Sequence, residues 1–367
     1  LPIRSMTSSK RPRLPFLDWM RGVAAVIMLN GHTFHSFTRD DLRGQSPYVL
    51  SQFFGGLGPA IFLFLTGITF AFILERGERV GLSLWERWVA ALKRSRYLLM
   101  LAVLFRVQLW AFGLPASNWT DLFKVDVLNC MALTLLALSP LAVMSIEQRI
   151  RWAAIGGAAI AAAGPLITAA NWTWLPEGVR AYFVPSYNFF AFFPWAAFIA
   201  FGVASGSILK KITADQVNRV MQWSAILGFG LILSGEYFSN LPYSLYAKSE
   251  FWLDSPGLVV IKLGVLLVIA AVAYLWAEYV VQDKWSWVKQ LGTTSLLVYW
   301  VHIELVYGRW FGYWKNNLDN YQVVAYSVCL IALMLGLSLL RTRYRDFNFQ
   351  SLFVGAGALQ PRRVSGD

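Results

Sequence analysis

Phe16-Leu17-Asp18-Trp19-Met20-Arg21-Gly22-Val23-Ala24-Ala25-Val26-Ile27-Met28-Leu29-Asn30-Gly31-His32-Thr33-Phe34-His35-Ser36-Phe37 is an apolar run that carries four ionisable side chains. A helix of ~20 mostly apolar residues crosses the ~30 Å hydrocarbon core of a bilayer, and this stretch is long enough. At ~100° per residue, the eleven steps from Arg21 to His32 make three turns plus ~20°, so both point the same way, ~16 Å apart. His35 lies ~40° to the other side of Arg21 and Asp18 ~60° away, with Ala25 and Met28 between them on that face. Ionisable groups inside a bilayer are costly and face a cavity or a partner. Asp18 and Arg21, three apart, also suit a local ion pair at the interface. His32 and His35 also suit hydrogen-bonded packing. Two histidines three apart lack a nearby third ligand, since Asp40 and Asp41 lie beyond the helix, so no metal is expected.

Nine further apolar segments lie downstream, over Val49 to Leu74, Tyr97 to Leu114, Val125 to Met144, Trp152 to Ala170, Asn188 to Leu209, Val220 to Tyr237, Leu258 to Val280, Leu291 to Phe311 and Gln322 to Leu340. They are continuous and lack the period-two alternation of a β-barrel. The composition agrees, with 57% hydrophobic and only 14% charged residues among 367. Soluble domains sit near ~45–50% apolar and ~25% charged. These values exclude a disordered chain, a nucleic-acid binder with a wide basic face and most soluble enzymes. Cys130 and Cys329 both lie in apolar runs and imply no disulfide framework. No cleavable signal peptide is read, because the first span is too long and leads into no small-residue cleavage site.

Basic residues set the orientation. The gaps on the side of the N-terminus hold 22 Lys and Arg, and the alternate gaps hold 7; Arg21, Arg106 and Lys262 fall inside spans. The positive-inside tendency then puts both termini in the cytoplasm. The expectation is an all-α polytopic membrane protein of about ten transmembrane helices. It comprises a basic cytoplasmic segment over 1–15, one helical domain over 16–341 and a cytoplasmic tail over 342–367, in a bacterial inner membrane. The fifth span carries Ala153, Gly156, Gly157, Ala161 and Gly164, which suits tight packing and would also allow a homodimer.

Other polar groups fall near or within spans. In the ninth, His302 and Arg309 are seven apart and share a face flanked by Tyr299, while Glu304 is ~200° from His302 and looks elsewhere. Tyr299 and His302 read as cavity lining or as packing, and Glu304 as a partner for Arg106 or another buried cation. Asp126 and Asn129, near the start of the fourth span, and Glu236 are candidates for hydrogen bonds to a polar ligand or are interfacial groups in water. Lys93, Arg94 and Arg96 enter the third span from the cytosolic side and fit either topology or phosphate binding.

Leu17-Asp18-Trp19-Met20-Arg21-Gly22-Val23-Ala24, followed by His32 after ten intervening residues from the arginine, resembles the opening helix of the transmembrane acyltransferase superfamily. That group includes the acyltransferase-3 and the heparan-α-glucosaminide N-acetyltransferase-like proteins. Phe62-Leu63-Phe64-Leu65-Thr66-Gly67, Glu75-Arg76-Gly77, and Asp126-Val127-Leu128-Asn129 with Ala132-Leu133 point to the second branch, and the resemblance covers roughly the first 140 residues. It implies transfer of an acyl group, usually acetyl, from cytosolic acyl-CoA to an acceptor on the opposite side, typically a sugar or glycan. Arg21, Lys93, Arg94 and Arg96 would then hold the donor, and Asp126, Asn129, Tyr299, His302 and Glu304 would face the sugar acceptor, with Glu236 as a further candidate. His32 would act as general base, since a histidine titrates near working pH. An acetyl-imidazole route is the alternative. Animal lysosomal members have Asn at the position of His32 and their active histidine farther along, so His32 and His35 both stand as the active imidazole. A proton-coupled permease relaying protons through the same histidines, or an accessory subunit, would use the same residues differently.

Overall fold

A computed structural model describes residues 14–282 and 284–344. The basic N-terminal residues before Leu14 and the tail beyond Tyr344 lie outside the described residues. The described residues build their regular structure from helices: α1 (Pro15–Phe37), α2 (Ser46–Gly55), α3 (Leu57–Arg79), α4 (Leu84–Phe112), α5 (Val127–Ala137), α6 (Ile146–Ala169), α7 (Glu177–Phe183), α8 (Phe192–Lys211), α9 (Val217–Ser239), α10 (Pro256–Leu275), α11 (Trp287–Thr293), α12 (Ser295–Tyr307) and α13 (Asn320–Arg343). Among the described residues there are only two isolated β-bridges, one of which pairs Thr38 at the end of α1 with Leu318 before α13.

Among the described residues six helical segments are long and apolar enough to cross a membrane: Ser46–Arg79 (α2 and α3), α4, α6, α8, Pro256–Val281 (α10 and its π-helical end) and α13. The chain is thus a helical polytopic membrane protein. The helices α1 and α9 have 23 residues each but carry more polar residues. Several of the expected spans depart from a single straight helix, the second dividing at Gly56 into α2 and α3. The fourth is α5, of 11 residues, continued by a 3-10 turn over Ser139–Val143 where Pro140 removes an N–H. The ninth is broken at Thr294 into α11 and α12 and stops at Tyr307. Its break comes just after Gly292, a weak helix former, pressed against the backbone of α1.

Helices in lipid gain little from the hydrophobic effect and associate through close packing of small residues. A Cβ on Gly67 would lie 2.1 Å from the Ile199 carbonyl oxygen, and one on Gly202 2.0 Å from that of Phe64, so α3 and α8 touch backbone to backbone. The same happens between α1 and α11. A Cβ on Gly22 would sit 1.9 Å from the Val288 oxygen, and one on Gly292 1.8 Å from that of Asp18. In α6, Ala153, Gly157, Ala161 and Gly164 are buried, with Gly157 against the Phe201 ring of α8 and Gly164 against the Asp254 backbone. This small-residue face packs within the chain, whereas Gly156 meets nothing within 4 Å.

The start of α5 and the end of the 3-10 turn that follows it are held by charged side chains. Asp126 accepts from the backbone N–H of Leu128 (2.9 Å) and Asn129 (3.1 Å), capping the helix start. At the other end Arg149, fully buried, donates to the Leu141 and Met144 carbonyls and to Glu78, at 3.3, 3.1 and 3.1 Å. A cation is the right charge for these chain-end carbonyls.

Gly67→Leu should force α3 and α8 apart and lower the melting temperature of the detergent-solubilised protein, since overpacking costs about 1–3 kcal/mol even against deformable side chains. Gly156→Ala, on the open face, should leave the melting temperature unchanged or slightly raised.

Candidate active site

A cavity of ≈ 1260 Å³ runs between α1, α3, α4, α5, α11, α12 and the end of α13. At the end where α1 begins it is lined by Asp18, Arg21, Arg94, Gln290, Thr293, Arg341 and Thr342. Its middle is apolar, with Met28, Phe62, Leu65, Leu101 and Phe105 on the wall. Toward the far end of α1 it is lined by His32, Arg106, Asp126, Tyr299 and Tyr307. The polar stripe on α1 therefore spans one space, with cations at one end and an imidazole at the other.

Asp18 and Arg21 form the local pair their spacing suits, Nη1 to Oδ1 at 2.7 Å, and both still line the cavity. Of the three cations on α4, only Arg94 lines it. Lys93 and Arg96 are exposed elsewhere, because at ~100° per residue the three side chains diverge around one helix. Asp126 is buried and reaches Arg106 Nε at 3.2 Å. That contact gives Arg106 a partner other than Glu304, one of the two readings left open for that carboxylate. Glu304 instead accepts from the Trp310 indole N–H at 3.0 Å and stays off the cavity wall, as its angle on the helix suggested. Asn129 is consumed in the capping of α5, accepting from the Asp126 N–H at 3.2 Å and donating to the Tyr182 hydroxyl at 3.0 Å. Glu236 accepts from the Asn240 side-chain amide at 2.9 Å, away from the cavity. Arg309 does not share a helical face with His302, since α12 has ended; its guanidinium donates to the Leu114 carbonyl at 2.9 Å.

Three histidine rings and a tyrosine ring form one cluster around His32 and Tyr307. Nδ1 of His32 is 3.0 Å from Nε2 of His302, and the two rings lie 13° from parallel with centroids 5.2 Å apart. His302 is fully buried behind His32 and is not part of the cavity wall; its Nδ1 is 2.8 Å from the Val298 carbonyl oxygen. The Tyr307 ring meets His32 edge-on at 5.3 Å, and its hydroxyl lies 3.3 Å from His35 Nδ1. His35 is exposed and does not line the cavity. Among the described residues no three His, Cys, Asp or Glu side chains gather as metal ligands.

Three members of this wall escape sequence reasoning. Arg341 reads there only as a topological cation, although it sits in the last turn of α13. Arg106 is recognisable as buried but not as part of the cavity. Tyr307 stands in the ninth span without a role, and its five-residue spacing from His302 gives no face-sharing signal on a regular helix.

The family model described as heparan-alpha-glucosaminide N-acetyltransferase, catalytic, matches residues 13–243, which takes in α1 through α9. No individual curated protein matches the chain. The wall supplied by α11, α12 and α13, with His302 behind it, lies beyond the matched residues. A match over well above half of the chain, on a helical scaffold made for a bilayer, places this protein in the heparan-alpha-glucosaminide N-acetyltransferase catalytic family, and makes it a membrane acetyltransferase.

Proposed function

We propose that the protein moves an acyl group, acetyl in the first instance, from cytosolic acyl-CoA to a carbohydrate-type acceptor on the opposite side of the membrane, with His32 as general base. The observation that carries this reading is the single cavity joining Arg21, Arg94 and Arg341 to His32. In the same reading the chain crosses the bilayer ten times with both termini cytoplasmic, which puts the cationic end in the cytosol.

The residues present fit such a donor. Guanidinium groups suit the phosphates of CoA through paired N–H donors, and Arg21, Arg94 and Arg341 would supply them. The apolar middle suits a thin, uncharged arm. The volume exceeds the ~300–1,000 Å³ of a pocket for one drug-sized ligand, leaving room for donor and acceptor together. The donor supplies an activated thioester carbonyl. His32 would take the acceptor's proton near that carbonyl, and Asp126, Arg106 and Tyr299 would line the acceptor's entry. His35, outside the cavity, has no such reach, and Lys93 and Arg96 are left to headgroups and topology.

Acetyl-CoA should raise the melting temperature of the purified protein. Arg94→Ala and Arg341→Ala should each weaken that shift, by about tenfold in affinity per lost charge-assisted contact. A permease using the same histidines would instead show pH-dependent flux into liposomes and no stabilisation by acetyl-CoA, and that pair of results would overturn the proposal.

His32→Ala should keep the acetyl-CoA stabilisation while lowering acetyl transfer to an amino-sugar probe, glucosamine, by about 10²-fold or more. Full turnover in that variant would remove His32 from the mechanism.

A further inference from the structure

We infer that His302 is a positioning residue that holds His32 in the one tautomer able to act as a base. The inference rests on the acyltransfer reading above and deepens it. A carbonyl oxygen only accepts hydrogen bonds, so the 2.8 Å contact with the Val298 carbonyl requires the proton of His302 to sit on Nδ1. A neutral imidazole carries one N–H, which leaves His302 Nε2 as an acceptor. A doubly protonated ring is ruled out by its surroundings. His302 is fully buried, its neighbours are His32, Tyr299 and the Val298 carbonyl, and an unpaired charge there is far more costly than a neutral ring.

His32 Nδ1 must then donate across the 3.0 Å contact to His302 Nε2. The proton of His32 is fixed on Nδ1, and Nε2 keeps its lone pair. His302 stays off the cavity wall while His32 is on it, so Nε2 is the nitrogen left to the cavity. A histidine side chain in water favours the opposite form, with the proton on Nε2. Without His302 the nitrogen facing the acceptor would therefore be occupied. The arrangement has the logic of a base oriented by a buried partner, with one imidazole orienting another and a backbone carbonyl at the end of the chain.

The proton balance closes without a further reactant. His32 Nε2 takes the proton of the acceptor N–H or O–H as its nitrogen or oxygen bonds to the thioester carbon. The C–S bond breaks, the sulfur leaves with the electron pair, and His32 Nε2 returns the same proton to it. Throughout, His302 Nε2 accepts from His32 Nδ1 and favours the transient imidazolium.

The chain has only three histidines, so ¹⁵N-histidine spectra of the purified protein can be assigned with His302→Gln and His35→Gln. His32 is expected with Nδ1 protonated and Nε2 bare in the wild type, and a protonated Nε2 there would overturn the inference. His302→Gln, whose Oε1 can still accept from His32, should keep kcat within about tenfold for acetyl transfer to glucosamine, whereas His302→Leu should lower it about 10²-fold at unchanged KM for acetyl-CoA. Equal losses in both variants, or wild-type kcat in His302→Leu, would also overturn it. A wild-type protein that transfers no acetyl group would sink the acyltransfer reading alone, because the spectra report the tautomer either way.

Discussion

Placing an Arg or Asp side chain against lipid tails at mid-membrane costs about 2.5–3.5 kcal/mol even on the mildest scale, and the arrangement of polar groups in this protein reflects that cost. Arg21 is paired with Asp18, Arg106 with Asp126 and Arg149 with Glu78, each within 3.2 Å. Two of these pairs line the same cavity. The third anchors the end of the 3-10 turn that continues α5. The buried ends of a short helix carry backbone groups that need partners. Asp126 caps the start of α5, and Arg149 holds the carbonyls at the end of the turn that continues it.

The scaffold is legible in the sequence because lipid imposes long apolar runs, and every expected segment contains helix. The α1 stripe is legible because a regular helix converts spacing into direction, and the Asp18–Arg21 pair and the cavity-facing His32 come from ~100° per residue alone. Where the backbone departs from that rule, spacing misleads. The face expected to hold both His302 and Arg309 does not exist, because α12 stops at Tyr307. Lys93, Arg94 and Arg96 look like one phosphate site in sequence, yet on α4 they diverge and contribute a single guanidinium. Partner choice is the other gap. Nothing local distinguishes Asp126 from Glu304 as the partner of Arg106; the choice is made by how α4 and α5 pack, over residues 20 positions apart.

The family match ends at residue 243, yet the site depends on the helices beyond it. Arg341, Tyr299 and Tyr307 on the wall, and His302 behind it, all come from α11 to α13. The first helix alone offers an imidazole and a guanidinium on one stripe but no means to hold them in position. The α11–α12 break at Thr294 lines the cavity, since Gly292 through Leu297 all contribute to the wall.

Register between α1 and the α11–α12 pair is then what places one histidine against the other. Two anchors bracket them. At the cationic end, Gly22 and Gly292 let the backbones of α1 and α11 meet where any Cβ would collide. At the other end the Ser36 hydroxyl donates to the Val306 carbonyl at 2.8 Å, and the Leu318 N–H donates to the Phe37 carbonyl at 2.9 Å. Catalytic groups need placement to within ~0.5 Å, and a one-residue slip along a helix is ~1.5 Å and ~100°. Contacts at both ends exclude such a slip, so the 3.0 Å approach of His32 to His302 is a consequence of helix packing rather than of the two rings' own attraction.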